Sequence, residues 1–185
     1  MKFQISDKIE LRQISEVNAA ELFEVVVKNY EHLRPFLYWV VPEYSLESAE
    51  EFIAQTNKAF AENTSRTFGI FFDEKIVGVI GFVNFNWSSQ RTEIGYWIAK
   101  DFEGKGIITK SCKTLINYAF DELKMNRIEI RCACENVRSC NIPQRLGYKL
   151  EGVLRQFLWR HTRFYDMAIY GMLAEEWSEK VKRRK

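Results

Sequence analysis

A short loop with two glycines, residues 101–109 (DFEGKGIIT), joins a strand-like run to the most regular amphipathic helix of the sequence. The first N–H groups of a helix lack carbonyl partners and lie at the positive end of the helix dipole. Because Gly104 and Gly106 have no Cβ, such amides can approach phosphate oxygens, while Lys105 adds a cation and Thr109 a hydroxyl. The segment predicts a pyrophosphate site for coenzyme A or a nucleotide; the alternative is that the glycines only shape the turn.

Two other phosphate-binding loops do not fit this segment. The dinucleotide-binding loop of Rossmann folds needs a third glycine and an acidic ribose partner within a βαβ unit, and the surrounding sequence has neither. The Walker loop needs Gly-Lys followed by Ser or Thr, whereas Gly104-Lys105 is followed by Gly106. A phosphate site here therefore belongs to another fold.

The four cysteines could form disulfides, bind a metal ion or fill the core. They are Cys112, Cys132, Cys134 and Cys140. Their even number would allow two disulfides in a small secreted chain, which this sequence does not resemble. Cys132 and Cys134 are two apart in a strand-like run, where reduced thiols fill a core. A zinc site needs about four grouped ligands, and His32 and His161 are remote in sequence, so we expect no metal.

The composition fits one compact domain spanning residues 1–185. Of the 185 residues, 46% are apolar and 15% are aromatic, which can support a sizeable core. Lys and Arg number 27 against 25 Asp and Glu, and the net charge of +2 gives no overall field that demands nucleic acid or an anionic membrane. The sequence also shows neither a targeting peptide nor a run of membrane-spanning length. We expect a cytoplasmic protein that binds neither membranes nor, directly, nucleic acid.

The basic stretch 180–185 (KVKRRK) has two interpretations. Its cations could contact ribosomal RNA. Alternatively, they could interact favourably with the dipole at the C-terminal end of a helix and aid solubility.

Hydrophobic periodicity places these residues on an α+β framework of seven strands. The expected strands are residues 9–14, 66–72, 76–85, 91–99, 128–134, 148–157 and 163–172, the first of them at a sheet edge. Helices are expected from residue 19 to 30, from a cap at Ser48 to about residue 60, over residues 108–123, in a short stretch to Leu146, and at the end. The glycine loop then lies between a strand and a helix, as a phosphate site requires.

Several separated motifs, in order along the chain, resemble the RimJ/RimL-type acetyltransferases of the GNAT superfamily, which acetylate the N-termini of ribosomal proteins. They are residues 32–40 (HLRPFLYWV), 93–98 (EIGYWI), 104–106 (GKG), 136–139 (NVRS), 145–148 (RLGY) and 151–155 (EGVLR). One departure concerns the signature Q/R-x-x-G-x-G/A, in which Glu103 and Ile108 replace the usual first and last residues. The resemblance implies a mixed, mostly antiparallel seven-stranded sheet with helices on both faces.

The resemblance also implies acetyl-CoA as cosubstrate, bound where two adjacent strands splay apart and free backbone groups meet the pantetheine arm. The residues expected to bind it are Ile98, Gly104, Lys105, Gly106, Ile107, Thr109 and Asn136. Asn136 has the alternative role of a helix cap, which asparagine favours.

Ser139 is expected to act as the general acid that protonates the departing thiolate, as the Asn-x-x-Ser arrangement of the family implies. The alternative is a helix cap, since Pro143 suits the first turn of a helix that begins near Ser139. Cys140 adjoins Ser139, but no histidine nearby in sequence would activate it, so direct transfer is favoured over an acyl-enzyme.

Glu93 is the expected general base for the acceptor amine, directly or through water. An N-terminal α-amine has a pKa of about 7.7–8.0, so a useful fraction is already neutral and Glu93 could instead only orient the substrate. Tyr96, Arg34 and Trp39 are expected to contact the acceptor; for Arg34 and Trp39, in the aromatic first third, ordinary core packing is the alternative.

Three functions follow from these residues. The first is acetylation of a protein N-terminus by direct attack in a ternary complex. The second keeps the chemistry but acetylates a small amine, such as a polyamine or aminoglycoside, and predicts an acidic pocket. The third is a CoA-binding module without catalysis. The resemblance further implies a homodimer.

Overall fold

The computed structural model describes residues 1–160 and 162–182. The strands in this part of the chain form one eight-stranded sheet. The strands are β1 Lys2–Ser6, β2 Ile9–Arg12, β3 Arg66–Phe72, β4 Lys75–Asn86, β5 Arg91–Ile98, β6 Arg127–Ala133, β7 Lys149–Arg160 and β8 Arg163–Leu173. Their order across the sheet is β1-β2-β3-β4-β5-β6-β8-β7. Neighbours run antiparallel except β5 and β6, which are parallel, so the expected mixed, mostly antiparallel sheet is confirmed.

The sheet has one strand more than the seven expected. Lys2–Ser6 adds an outer strand that pairs with Ile9–Arg12, so the latter is an interior strand and its expected edge position was wrong. Phe3 and Ile5 both pack on the core, which explains why so short a segment joins the sheet.

Helices cover both faces, as expected. They are α1 Ala19–Lys28, α2 Tyr30–Leu33, α3 Leu46–Ala61, α4 Ile107–Asp121, α5 Val137–Leu146 and α6 Ala174–Lys182. Residues of α4, α5 and α6 join one hydrophobic core on one face of the sheet, and residues of α1, α2 and α3 form a second core on the other. The second core lies against β3, β4 and the end of β5, through Phe71, Ile76, Val79 and Trp97.

Two helix starts differ from the sequence prediction. Helix α3 is capped by Ser45, whose hydroxyl accepts from the N–H of Ser48 at 3.2 Å, so Ser48 belongs to the first turn and is not the cap. Helix α5 is capped by Asn136, whose Oδ1 accepts from the N–H of Ser139 at 3.1 Å. Pro143 therefore lies inside α5 and not in its first turn.

Candidate active site

A cleft opens where β5 and β6 separate. The two strands pair only at Arg91–Arg127, Thr92–Ile128 and Glu93–Glu129, and beyond Glu93 they diverge. The cleft has a volume of about 860 Å³ and is walled by the end of β5, the glycine loop, the first turn of α4, helix α5 and the segment around α2. The splaying that the resemblance implied is thus present, and beyond Glu93 it leaves the backbone of β5 paired with β4 but not with β6.

The glycine loop forms the start of helix α4. Gly104 and Gly106 have φ of 73° and 74°, a left-handed conformation that side chains rarely adopt, and a Cβ on either would meet no atom within 4 Å. Ile107 and Thr109 of the first turn also line the cleft. Lys105 is exposed and its ammonium lies 4.9 Å from the centre of the Phe102 ring. The two glycines therefore border open space at the cleft wall, at the helix end where the first N–H groups lack helical partners.

A carboxylate sits beside these amides and is neutralised from across the cleft. Glu103 forms an ion pair with Arg138 of α5, and its other oxygen lies 3.6 Å from Nε2 of His32. His32 Nε2 also donates to the carbonyl of Ile98 at 3.2 Å. Burial lowers the pKa of His32, the Ile98 hydrogen bond opposes this, and Arg138 and Lys100 lower it further. The Ile98 carbonyl, expected to meet a pantetheine arm, is therefore already engaged by His32.

Ser139 and Tyr96 meet inside the cleft. The Tyr96 hydroxyl donates to the backbone carbonyl of Ser139 at 3.1 Å, and the Ser139 hydroxyl donates to the Tyr96 oxygen at 3.4 Å. Burial raises the pKa of Tyr96 well above its usual range, so this hydroxyl stays protonated. The pair brings together two residues that are 43 positions apart in the sequence.

Glu93 is at the base of the gap, but on the other face of β5. Its side chain lines a separate depression of about 430 Å³, whose wall includes Trp87, Glu129 and Arg131, while Ser139 lines the main cleft. Glu93 lies 3.4 Å from the guanidinium of Arg131. Burial raises the pKa of Glu93, the nearby Arg131 partly offsets this, and Glu129 raises it again.

Glu129 is neutralised more completely than Glu93. Its two oxygens accept from Arg127 at 2.9 Å and from Arg131 at 2.7 Å. Burial opposes the charged form, but these hydrogen bonds outweigh it and lower the pKa of Glu129. The depression therefore holds one firmly ionised carboxylate and one, Glu93, with a raised pKa.

Residues 8–149 match the family model described as the acetyltransferase (GNAT) domain. The chain belongs to this acetyltransferase family. A protein of Bacillus subtilis strain 168 named "Putative ribosomal N-acetyltransferase YdaF" is 34% identical over 175 residues, covering 94% of this chain and 96% of that protein. The ribosomal-protein-serine acetyltransferase of Escherichia coli K12 is 26% identical over 172 residues, covering 93% and 96%. The solved structure of the microcin C7 self-immunity acetyltransferase MccE, in complex with acetyl-CoA and AMP, has a TM-score of 0.88 and 27% identity, covering 91% of this chain and 94% of that one.

Two residues expected at the acceptor site of this acetyltransferase lie outside the main cleft walls. Arg34 pairs with Glu31 at 3.0 Å, and its guanidinium lies 5.5 Å from the centre of the Tyr30 ring. Trp39 packs on the second core, with Trp97 at a centroid distance of 6.1 Å. Contacts of Arg34 and Trp39 with the substrate stay predictions. In the structure, Trp39 packs against the second core.

The cleft also contains residues that sequence reasoning did not assign to the site. They include His32, Phe36, Phe102, Glu103, Arg138 and Arg145. His32 and Phe36 belong to the 32–40 motif, and Arg138 to the 136–139 motif, so the motifs carried a signal. The contact between Glu103 and Arg138 spans 35 residues and could not be seen in the local sequence.

The cysteines lie largely in the core, as expected. Cys112, Cys132 and Cys140 are buried and Cys134 is partly exposed, and all four are free thiols. Cys140 directly follows Ser139 in the sequence, and its sulfur lies 3.1 Å from that of Cys132. Within residues 1–160 and 162–182, no group of three or more His, Cys, Asp or Glu side chains is arranged to hold a metal ion.

The basic C-terminal stretch is only partly described. Lys180 donates to the backbone carbonyl of Leu146 at 3.4 Å and contacts that of Gly147, so it closes the end of α5. Lys182 ends helix α6, and residues 183–185 lie outside the described residues. None of the helices in the described part of the chain is both long and apolar enough to cross a membrane.

Proposed function

We propose that this chain transfers the acetyl group of acetyl-CoA directly to the N-terminal α-amine of a protein, with a ribosomal protein as the acceptor. The observation that carries the proposal is the gap between β5 and β6, which ends at the glycine loop and has Ser139 on one side and Glu93 at its base. A thioester lying in this gap would be open to a proton donor and to an amine from different sides.

The donor site is supported by the geometry of the loop. A Cβ at Gly104 or Gly106 would meet no atom within 4 Å, so a ligand can approach the backbone of this turn closely. A pyrophosphate at the start of α4 would accept hydrogen bonds from its first N–H groups. Ile107 and Thr109 extend this wall, and Asn136 faces it from α5. Since Oδ1 of Asn136 is committed to the helix cap, its amide N–H₂ is the group that would donate to the pantetheine arm.

Transfer then needs two proton movements. The acceptor amine loses a proton to Glu93, directly or through water, as its nitrogen attacks the thioester carbonyl. The C–S bond breaks and the thiolate takes a proton from the Ser139 hydroxyl. Ser139 then regains a proton from solvent, to which Glu93 releases the proton that it took from the amine. Glu93 suits the first role because its raised pKa lies closer to that of the amine than an ordinary carboxyl's does.

A ribosomal-protein acceptor is supported by the names of the relatives from B. subtilis and E. coli. The small-amine alternative predicts an acidic pocket. The carboxylates of the depression, Glu93 and Glu129, are both in ion-pair contact with Arg131, which disfavours capture of a polycation there. Acetylation of ribosomal proteins would take place in the cytoplasm.

A homodimer is also proposed, with β7 as the surface that supports it. β7 is the last strand of the sheet, so one edge of it has no neighbouring strand among the described residues. It exposes large apolar side chains, including Leu150, Val153, Phe157 and Trp159. Long, apolar, unprotected edges are usually covered in a stable assembly. Light scattering of the wild type and of Val153→Glu tests this, with a dimer and a monomer as the expected results.

The acetyl transfer is tested by release of CoA thiol from acetyl-CoA with peptides that begin with Ser or Ala, polyamines and aminoglycosides as acceptors. We expect turnover with the peptides and a fall in kcat of about 10²–10⁴ for Ser139→Ala, the range for a general acid. Lys113→Ala, an exposed residue of α4 outside both pockets, is the control and should keep the wild-type rate. A preference for a small amine would refute the proposal that the acceptor is a protein N-terminus. Absence of acetyl-CoA binding would refute the proposal that acetyl-CoA is the donor.

A further inference from the structure

Pro143 occupies a position in helix α5 where a proline costs stability. It is the seventh residue of Val137–Leu146, it is buried, and it has no N–H. An interior proline removes one helical hydrogen bond, and its ring crowds the carbonyl four residues earlier. In α5 that carbonyl belongs to Ser139.

Pro143 leaves the Ser139 carbonyl without its helical N–H donor, and this carbonyl accepts a hydrogen bond from a side chain instead. The Tyr96 hydroxyl, reaching across from β5, donates to the Ser139 carbonyl at 3.1 Å. This matters because Tyr96 is a partly buried residue of the cleft wall that packs against the main core, where its hydroxyl needs a hydrogen-bond partner. A non-proline residue at 143 would supply an N–H to the same oxygen and compete with Tyr96 for it.

The bond also fixes how the two hydroxyls of the cleft face one another. With its hydrogen committed to the carbonyl, Tyr96 offers only lone pairs to the Ser139 hydroxyl, which donates to it at 3.4 Å. The Ser139 hydrogen is therefore held on the side of Ser139 that faces Tyr96 and the cleft. If Tyr96 turned its hydrogen toward Ser139 Oγ, the serine hydrogen would have to point elsewhere.

We propose that Pro143 is a positioning residue for acetyl transfer: by leaving the Ser139 carbonyl free for Tyr96, it sets the hydrogen-bond direction of the Tyr96–Ser139 pair. The inference rests on the proposed function, because it assumes that Ser139 delivers the proton to the leaving thiolate. Pro143 itself touches neither substrate and acts through Tyr96.

The test is a double-mutant cycle of Pro143→Ala and Tyr96→Phe, combined with hydrogen exchange of the amide that Pro143→Ala introduces. We expect this amide to be protected, because it captures the Ser139 carbonyl. We expect kcat to fall about fivefold to tenfold, the effect of one misdirected hydrogen bond, with KM for acetyl-CoA changed less than about twofold. In the Tyr96→Phe background, Pro143→Ala should leave kcat unchanged, since no hydroxyl remains to be displaced.

Three results would overturn the proposal. The new amide could exchange freely, which would mean that Tyr96 keeps the carbonyl without help from the proline. Kcat could stay at the wild-type value although the amide is protected. Kcat could also fall equally in the Tyr96→Phe background, which would mean a general effect on the helix. Failure of the proposed function is distinguished beforehand, because the wild type would then release no thiol with any acceptor.

Discussion

Replacing Gly106 by alanine separates the role of the glycine loop in folding from its role in binding. Gly106 has φ of 74°, and an added Cβ meets nothing within 4 Å, so Gly106→Ala brings backbone strain without a clash. A left-handed non-glycine residue costs about 1–2 kcal/mol. With an unfolding entropy of about 2.1 cal/mol/K per residue, 185 residues give about 0.39 kcal/mol/K, so Tm should fall by about 3–5 °C.

Gly147→Ala is the matched control, because Gly147 has φ of 77° at the end of α5 and does not line the cleft. Its Cβ would meet only the movable end of the Lys180 side chain. Both variants should lower Tm, and Gly147→Ala somewhat more, because it also displaces the Lys180 ammonium from the carbonyls at the end of α5. In calorimetric titration with acetyl-CoA, only Gly106→Ala should weaken binding, by about 10- to 100-fold if one amide–phosphate hydrogen bond is lost. Equal affinity in the two variants would refute the assignment of this loop to phosphate.

Three further predictions concern the cleft. Asn136→Ala should lower the free energy of unfolding by about 1 kcal/mol, whereas Asn136→Asp should keep the helix cap and the Tm. Both variants lose the amide donor, so both should bind acetyl-CoA more weakly; unchanged affinity would mean that Asn136 is only a helix cap. Activity should decline as pH falls through the raised pKa of Glu93, and Arg131→Met, which removes the cation that lowers this pKa, should move that decline to higher pH in a kcat/KM profile. Glu103→Gln should tighten acetyl-CoA binding about threefold to tenfold by calorimetry, because it removes an anion beside the phosphates and frees Arg138; weaker binding would contradict this.

Periodicity was enough to predict most of the framework. The spacing of Cys112, Leu115, Ile116 and Ala119 indicated helix α4, and all four are fully buried on one face. Strand β1 was missed because its signal is only Phe3 and Ile5, too short a pattern to separate from an irregular terminus. Ends of elements were less predictable, since Ser45 and Ser48 are both serines suited to a cap and only the geometry distinguishes them.

The site was predicted in its parts and not in its arrangement. The glycine loop and Ser139 were proposed from local residue types, and the structure has them lining one cleft. The ion pair of Glu103 with Arg138 and the hydrogen bond of Tyr96 with Ser139 depend on which side chains tertiary packing brings together. The sequence favours the first turn for Pro143, because that is the least costly place for proline in a helix, whereas the structure has it inside α5.

The position of Glu93 constrains how any acceptor reaches the thioester. Along β5 successive side chains alternate between faces, so Tyr96 contacts Ser139 in the main cleft while Glu93 lines the depression on the other side. Helices α1 and α3 cover part of that second face, but the depression beside Glu93 is open. With the donor filling the main cleft, an amine that gives its proton to Glu93 has to enter from the depression, through the gap that begins at the Glu93–Glu129 pair. The residues that select the acceptor are then expected around Trp87 and Arg131, and not in the main cleft, where coenzyme A is proposed to bind.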